Sequence, residues 1–124
     1  MYLIDTNIII YYLNNEIPQK SKKIITDILI NNFNISVISK MELLGFKEHT
    51  EESFSKTKQF ISYANIINID ESVINKVIEI KRKYSIKLPD AIIGATTIIN
   101  NYILVTRNIS DFEKLEINIF NPFL

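Results

Sequence analysis

The chain has no cysteine and no tryptophan, and only one histidine, two glycines and three prolines in 124 residues. Without cysteine there is no disulfide framework, no thiolate zinc site and no cysteine nucleophile. Two glycines cannot build the Gly-rich loop of a phosphate-binding or dinucleotide-binding motif. Scarce Gly and Pro also leave no long flexible linker, so residues 1–124 are expected to form one domain. Neither sign of charge dominates: 14 basic and 14 acidic side chains give a formal net charge of zero. That argues against a strongly basic, non-specific nucleic-acid binder, although local fields decide more than the sum. No apolar run nears the length of a membrane span, and the opening MYLID lacks a basic signal-peptide leader. The expected location is the cytoplasm.

What is present is apolar material for a real core, 47% of the residues against 23% charged. Its pattern alternates between strand and helix. YLID at 2–5 reads as a short buried strand, followed by a helical segment to about Leu13. Pro18 suits the first turn of a helix running to about Asn31, with Ile24, Ile25, Ile28 and Leu29 as its apolar face. Phe33 to Ile38 read as a strand, and Ser39 as the start of a helix through Met41–Phe46. A helix over 50–64 buries Phe54, Phe60 and Ile61. A strand over Ile66–Ile69 precedes a helix capped by Asp70, with a stripe of Val73, Val77, Ile80 and Tyr84. Pro89 starts the helix to Asn100, Tyr102–Thr106 form a strand, a short helix follows Ser110, and Ile117–Phe120 form an edge strand. Such alternation implies a three-layer α/β domain with a mostly parallel sheet.

Four acidic residues stand beside these junctions: Asp5, Glu42, Asp90 and Asp111. In a parallel α/β layer the junctions gather at one end of the sheet. Each acid also has a plainer reading. Asp5 is placed to cap a helix, Glu42 stands at capping-box distance from Ser39, and Asp90 and Asp111 suit the positive ends of helices. Taken together they say more. Asp5 lies between Leu3-Ile4 and Ile8-Ile9-Ile10, and Asp90 precedes the apolar run Ala91–Ala95. Burying acids there is costly without a partner, and carboxylates that converge repel unless a divalent metal or shared protons neutralise them. Hard oxygen ligands point to Mg²⁺ or Mn²⁺.

DTNIIIYYL at 5–13, SKMELLGF at 39–46, LPDAIIGATTI at 88–98 and LVTRNISDF at 104–112 resemble, in order, the four signatures of PIN-domain proteins. The resemblance is strongest to the VapC-type toxin ribonucleases of VapBC toxin–antitoxin pairs, and it extends to the NPF near the C-terminus. It implies a PIN-like domain over 1–124 with a parallel sheet of about five strands between helices. It also implies Mg²⁺- or Mn²⁺-dependent RNA cleavage, a VapB-like antitoxin that masks the cleft, and toxin homodimers. By the same resemblance Asp5, Glu42 and Asp90 match the acidic triad, and Asp111 the less regular fourth acid. Some relatives place that acid where this chain has Asn108. Thr6, Asn7 and Thr106 match polar residues that support the acids.

The expected roles follow. Asp5 and Asp90 are the principal metal ligands, Glu42 the third acid and proton acceptor, and Asp111 completes the set. Lys40, Lys87 and Arg107 adjoin the acidic motifs and are the candidates for phosphate contacts. His49, in KEHTEE, reads as an exposed side chain, and Tyr11 and Tyr12 as packing residues. A homodimer face is expected near residues 8–13 and 24–46. Three other functions compete. A non-toxin PIN nuclease in RNA processing shares every motif. A non-catalytic RNA-binding or interaction domain is disfavoured by the four acids, which repel phosphate. A Mg²⁺-dependent phosphatase is disfavoured because Asn7 stands where a second Asp would be needed.

Overall fold

The computed structural model describes residues 1–124. Its elements are β1 Tyr2–Ile4, α1 Thr6–Leu13, α2 Gln19–Asn31, β2 Asn34–Ser36, α3 Val37–Leu44, α4 Glu51–Ile61 and β3 Asn65–Ile67. There follow α5 Glu71–Lys83, α6 Leu88–Asn100, β4 Ile103–Val105, α7 Ile109–Phe112, a 3₁₀ turn Glu113–Leu115 and β5 Ile119–Phe120. All strand pairs are parallel: β1 with β4, β4 with β5, and β2 with β3. The ladders β1-β4-β5 and β2-β3 lie side by side, with β2 against β1. Asparagine side chains tie the seam. Tyr2 N donates to Asn32 Oδ1 at 3.2 Å, and Asn34 Nδ2 donates to Tyr2 O at 2.8 Å. The layer therefore runs β3-β2-β1-β4-β5, the five-stranded parallel sheet expected from the sequence.

Strand alternation builds two cores. Leu3 and Leu104 face α5, α6 and α7, where Val73, Ile93 and Phe112 are almost wholly buried. Their neighbours Ile4 and Val105 face the other way, onto Ile8, Ile9, Ile25 and Ile35. The sheet is thus covered on both faces, as short, wholly apolar parallel strands require. Gly94 permits close packing of α6 against Leu115 and Phe112. A Cβ there would meet Leu115 Cδ1 at 2.5 Å.

Several expected boundaries shift. β2 ends at Ser36, and Ser36 itself caps α3 by accepting from Ile38 N at 3.2 Å. Val37 and Ile38 are therefore helical despite their β-branched chemistry, because the cap stops the strand before them. Ser39 lies inside α3, so its spacing to Glu42 forms no capping box. β3 spans Asn65–Ile67 rather than reaching Ile69. Phe54, expected among buried contacts, is 37% exposed.

Candidate active site at the strand ends

Asp5 follows the last residue of β1 and still belongs to the sheet through its backbone N, which donates to Val105 O at 3.0 Å. Its carboxylate is 5% exposed. Oδ1 accepts from Thr6 N at 2.8 Å, capping α1, and Oδ2 accepts from Thr106 Oγ1 at 2.7 Å. The capping and convergence readings of Asp5 thus hold together. One oxygen starts the helix while the side chain faces the strand end of β4.

The other acids gather around it from three further elements. Glu42 projects from α3 and accepts from Thr6 Oγ1 at 2.7 Å. That hydroxyl also lies 2.8 Å from Ser39 Oγ, which is fully buried. A hydroxyl has one proton, and the carboxylate is the stronger acceptor. Asp90 sits half-buried in the first turn of α6. Asp111 lies in α7, where its Oδ2 accepts from Asn108 Nδ2 at 2.8 Å. Asn108 N in turn donates to Thr106 Oγ1 at 2.9 Å, so Thr106 links the Asp5 and Asp111 sides of the cleft.

Mutual repulsion registers the convergence. The Asp5 carboxyl is pushed up to about 6, chiefly by burial, with Asp90 and Glu42 adding to the rise and the bonds from Thr106 and Thr6 opposing it. Asp90 is raised by burial first, then by Asp111 and Glu42, while Lys87 pulls it down. Asp90 thus feels Asp111 and Glu42, while Asp5 feels Asp90 and Glu42. No three are gathered tightly enough to make a preformed metal cage. Glu42 is exposed and Asp90 and Asp111 half-buried, so all three are open to solvent beside the buried Asp5. The donor set is carboxylate oxygens, with Lys87 acting on Asp90, and suits a hard divalent ion.

Thr6, Thr106 and Asn108 take part in this network, but Asn7 is exposed at its mouth and makes no side-chain hydrogen bond to an acid. Among the cations, Lys87 faces Asp90 and Arg107 lines a cleft of about 280 Å³ with Asp5, Asn7, Tyr11 and Asn108. Lys40 is exposed on α3 and is tied to none of the acids. His49 is not the solvated side chain expected. Its Nε2 lies 2.7 Å from Leu43 O and its Nδ1 2.8 Å from Ser53 Oγ, between the rings of Phe46 and Phe54. It staples α3 to α4, a contact that local polarity did not reveal. Sequence reasoning also missed the contact between the Thr6 and Ser39 hydroxyls, for which the only signal was two hydroxyl residues beside acidic motifs. A largely apolar groove of about 390 Å³ is lined by Glu42 together with Ile10, Leu13, Leu43 and Phe46.

Comparison with known proteins agrees with this arrangement. The PIN domain model matches residues 2–118. No curated protein matches significantly. Among solved structures, a toxin–antitoxin complex from Klebsiella pneumoniae has a chain 31% identical, with 98% of each chain covered and a TM-score of 0.79. VapBC2 from Rickettsia felis, bound to a fragment of promoter DNA, is 27% identical over 97% of each chain, with a TM-score of 0.79. DNA-bound VapBC from Salmonella typhimurium, at 23% identity, covers 98% of this chain and 97% of its own, and shares the fold with a TM-score of 0.82. With a family match over nearly its whole length and its acids gathered at the strand ends, the chain belongs to the PIN-domain family and resembles its VapC-type members.

Proposed function

We propose that the chain is a Mg²⁺- or Mn²⁺-dependent endoribonuclease toxin, held in check by a cognate VapB-like antitoxin and acting in the cytoplasm. The observation that carries the reading is Asp5. A deeply buried carboxylate, raised to about 6 and repelled by Asp90 and Glu42, is poorly served by structure alone. A phosphodiesterase centre accounts for it. Asp5 and Asp90 would hold the cation, with Asp111 completing its surroundings. The bound ion supplies charge neutralisation at the phosphate and a more acidic water. Glu42, exposed and oriented by Thr6, is placed to accept a proton from the attacking water. Thr106 and Thr6 fix the Asp5 carboxylate so that its lone pairs face the cleft. The apolar groove beside Glu42 suits an antitoxin segment that would cover the acids, in keeping with the toxin–antitoxin complexes the chain resembles. Residues 1–124 would form the whole nuclease domain, working as a homodimer.

The test is biological. Induced expression of the chain alone should arrest growth and deplete specific RNAs, co-expression of the protein encoded next to it should relieve the arrest, and Asp90→Asn should be harmless. A neighbour that neither binds nor protects would favour a PIN nuclease of RNA processing instead.

A further inference from the structure

The chain ends in a turn that returns to the cleft. After β5, Phe123 N donates to Asn121 Oδ1 at 2.9 Å and Pro122 is buried, so the turn is fixed at both its backbone and its side chains. Phe123 meets Tyr11 of α1 edge to face, with ring centroids 4.9 Å apart. Onto this pair lies Arg107, the residue after Thr106 at the end of β4. Its guanidinium carbon is 4.2 Å from the Phe123 centroid and 5.4 Å from that of Tyr11.

Arg107 is exposed and shares its cleft with Asp5, yet it forms no ion pair. The two ion pairs of the chain, Lys56–Glu52 and Lys76–Glu79, lie on α4 and α5. A guanidinium held over a ring by the cation–π attraction spends none of its N–H donors on an anion, and loses rotamer freedom before any ligand arrives. Lys87 differs, because its charge is directed at Asp90. Lys40 differs again, having no aromatic neighbour to hold it. Of the three cations beside the acidic motifs, Arg107 alone is pre-set and unspent. Its planar fork suits the two free oxygens of a phosphodiester.

We propose that Phe123 is a positioning residue of the substrate site: with Tyr11 it holds the Arg107 guanidinium at the cleft mouth to grip a backbone phosphate of the RNA, beside the bond to be cut. The proposal rests on the ribonuclease reading. It makes the C-terminal turn part of the RNA-binding surface, although no acid and no cation lies within it.

The experiment compares wild type with Phe123→Leu, Phe123→Trp, Arg107→Ala and the Arg107→Ala/Phe123→Leu double variant. Leucine keeps apolar volume but has no ring face; tryptophan keeps the face. Affinity for a fluorescein-labelled stem-loop RNA is read by anisotropy across a salt series, with Ca²⁺ in place of Mg²⁺, and cleavage is read with Mg²⁺. Thermal unfolding confirms that each variant is folded. Phe123→Leu should weaken RNA binding about 5-fold and raise KM with kcat nearly unchanged. Phe123→Trp should restore binding. Arg107→Ala should lower the salt slope by about one charge, and the double variant should bind no more weakly than Arg107→Ala. Wild-type affinity in Phe123→Leu, or a second full loss in the double variant, overturns the inference. So does unchanged RNA affinity with weakened antitoxin binding, which would assign the stack to that partner. Wild type that binds RNA with this pattern yet never cleaves it sinks the nuclease reading alone, whereas wild type that does not bind RNA sinks both.

Discussion

The hydroxyl of Thr106 donates to Oδ2 of Asp5 at 2.7 Å, joining the ends of two adjacent parallel strands through a fully buried contact. It is the largest influence holding the Asp5 carboxyl down against burial. Thr106→Val keeps the shape and removes the donor, so Asp5 should titrate higher still. Carbon-detected NMR of the metal-free protein reads the midpoint directly, and Thr106→Ser should return it towards the wild-type value. An unmoved midpoint in the valine variant would deny the bond its role.

The raised Asp5 carboxyl also ties stability to pH. The native state holds this proton more tightly than the unfolded chain, so stability contributed by the group declines as pH rises from about 4 to about 6. Above that window the full penalty is present, on the order of 3 kcal/mol. Asp5→Asn should therefore abolish RNA cleavage by about 10²-fold or more while making the metal-free fold more stable at neutral pH. At pH 4 the gain should largely vanish. Urea unfolding in EDTA at both values checks the sign, and a variant equally destabilised at both would contradict the account.

Asp111 is the most weakly committed of the acids. Its Oδ2 is held by Asn108 Nδ2 at 2.8 Å, and asparagine at 111 keeps an acceptor oxygen for that bond. Asp111→Asn should cost less than about 10-fold in cleavage. It should also lower the Asp90 titration midpoint, because a repelling charge is removed. Losses as complete as those of the Asp5 and Asp90 variants would make Asp111 a full member of the centre.

Packing behind the site gives an independent check. Gly94 faces Leu115 and Phe112 so closely that a Cβ would stand 2.5 Å from Leu115 Cδ1. Gly94→Val should destabilise the fold by about 1–3 kcal/mol through overpacking, read as a lower urea midpoint. Unchanged stability would mean that the Leu115 side chain moves aside freely.

The parts of the molecule that announce themselves in sequence are those set by local chemistry. Asp70 caps α5 as its position before the Val73, Val77, Ile80 stripe implies, accepting from Val73 N at 3.0 Å. Pro89 lies in the first turn of α6, and the apolar triplets of β1 and β4 pair in parallel. Asp5 and Asp111 were legible because each follows a strand, β1 or β4, and the parallel pairing of those strands sends both junctions to one end. Asp90, which opens α6 directly after helix α5, and Glu42, inside α3, stand at no strand–helix junction and are brought in by helix packing. What stayed hidden depends on tertiary partners. Ser36 and Ser39 are equally good caps by residue type, and only the packing of α3 against α1 decides that Ser39 is buried against Thr6. His49 reads as polar surface among KEHTEE, yet the turn between α3 and α4 brings the Leu43 carbonyl to it. Phe123, near the last position, gives no hint in sequence that it meets Arg107.

Cleavage of RNA by the purified chain, freed of any bound antitoxin, tests the central claim most directly. Structured and single-stranded RNAs are incubated with Mg²⁺ or Mn²⁺, with EDTA, and with the folded Asp90→Asn variant. The account predicts discrete products with either metal, none with EDTA, and a loss of about 10²-fold or more in the variant. Equal cleavage after complete removal of metal, or undiminished turnover by Asp90→Asn, would contradict it.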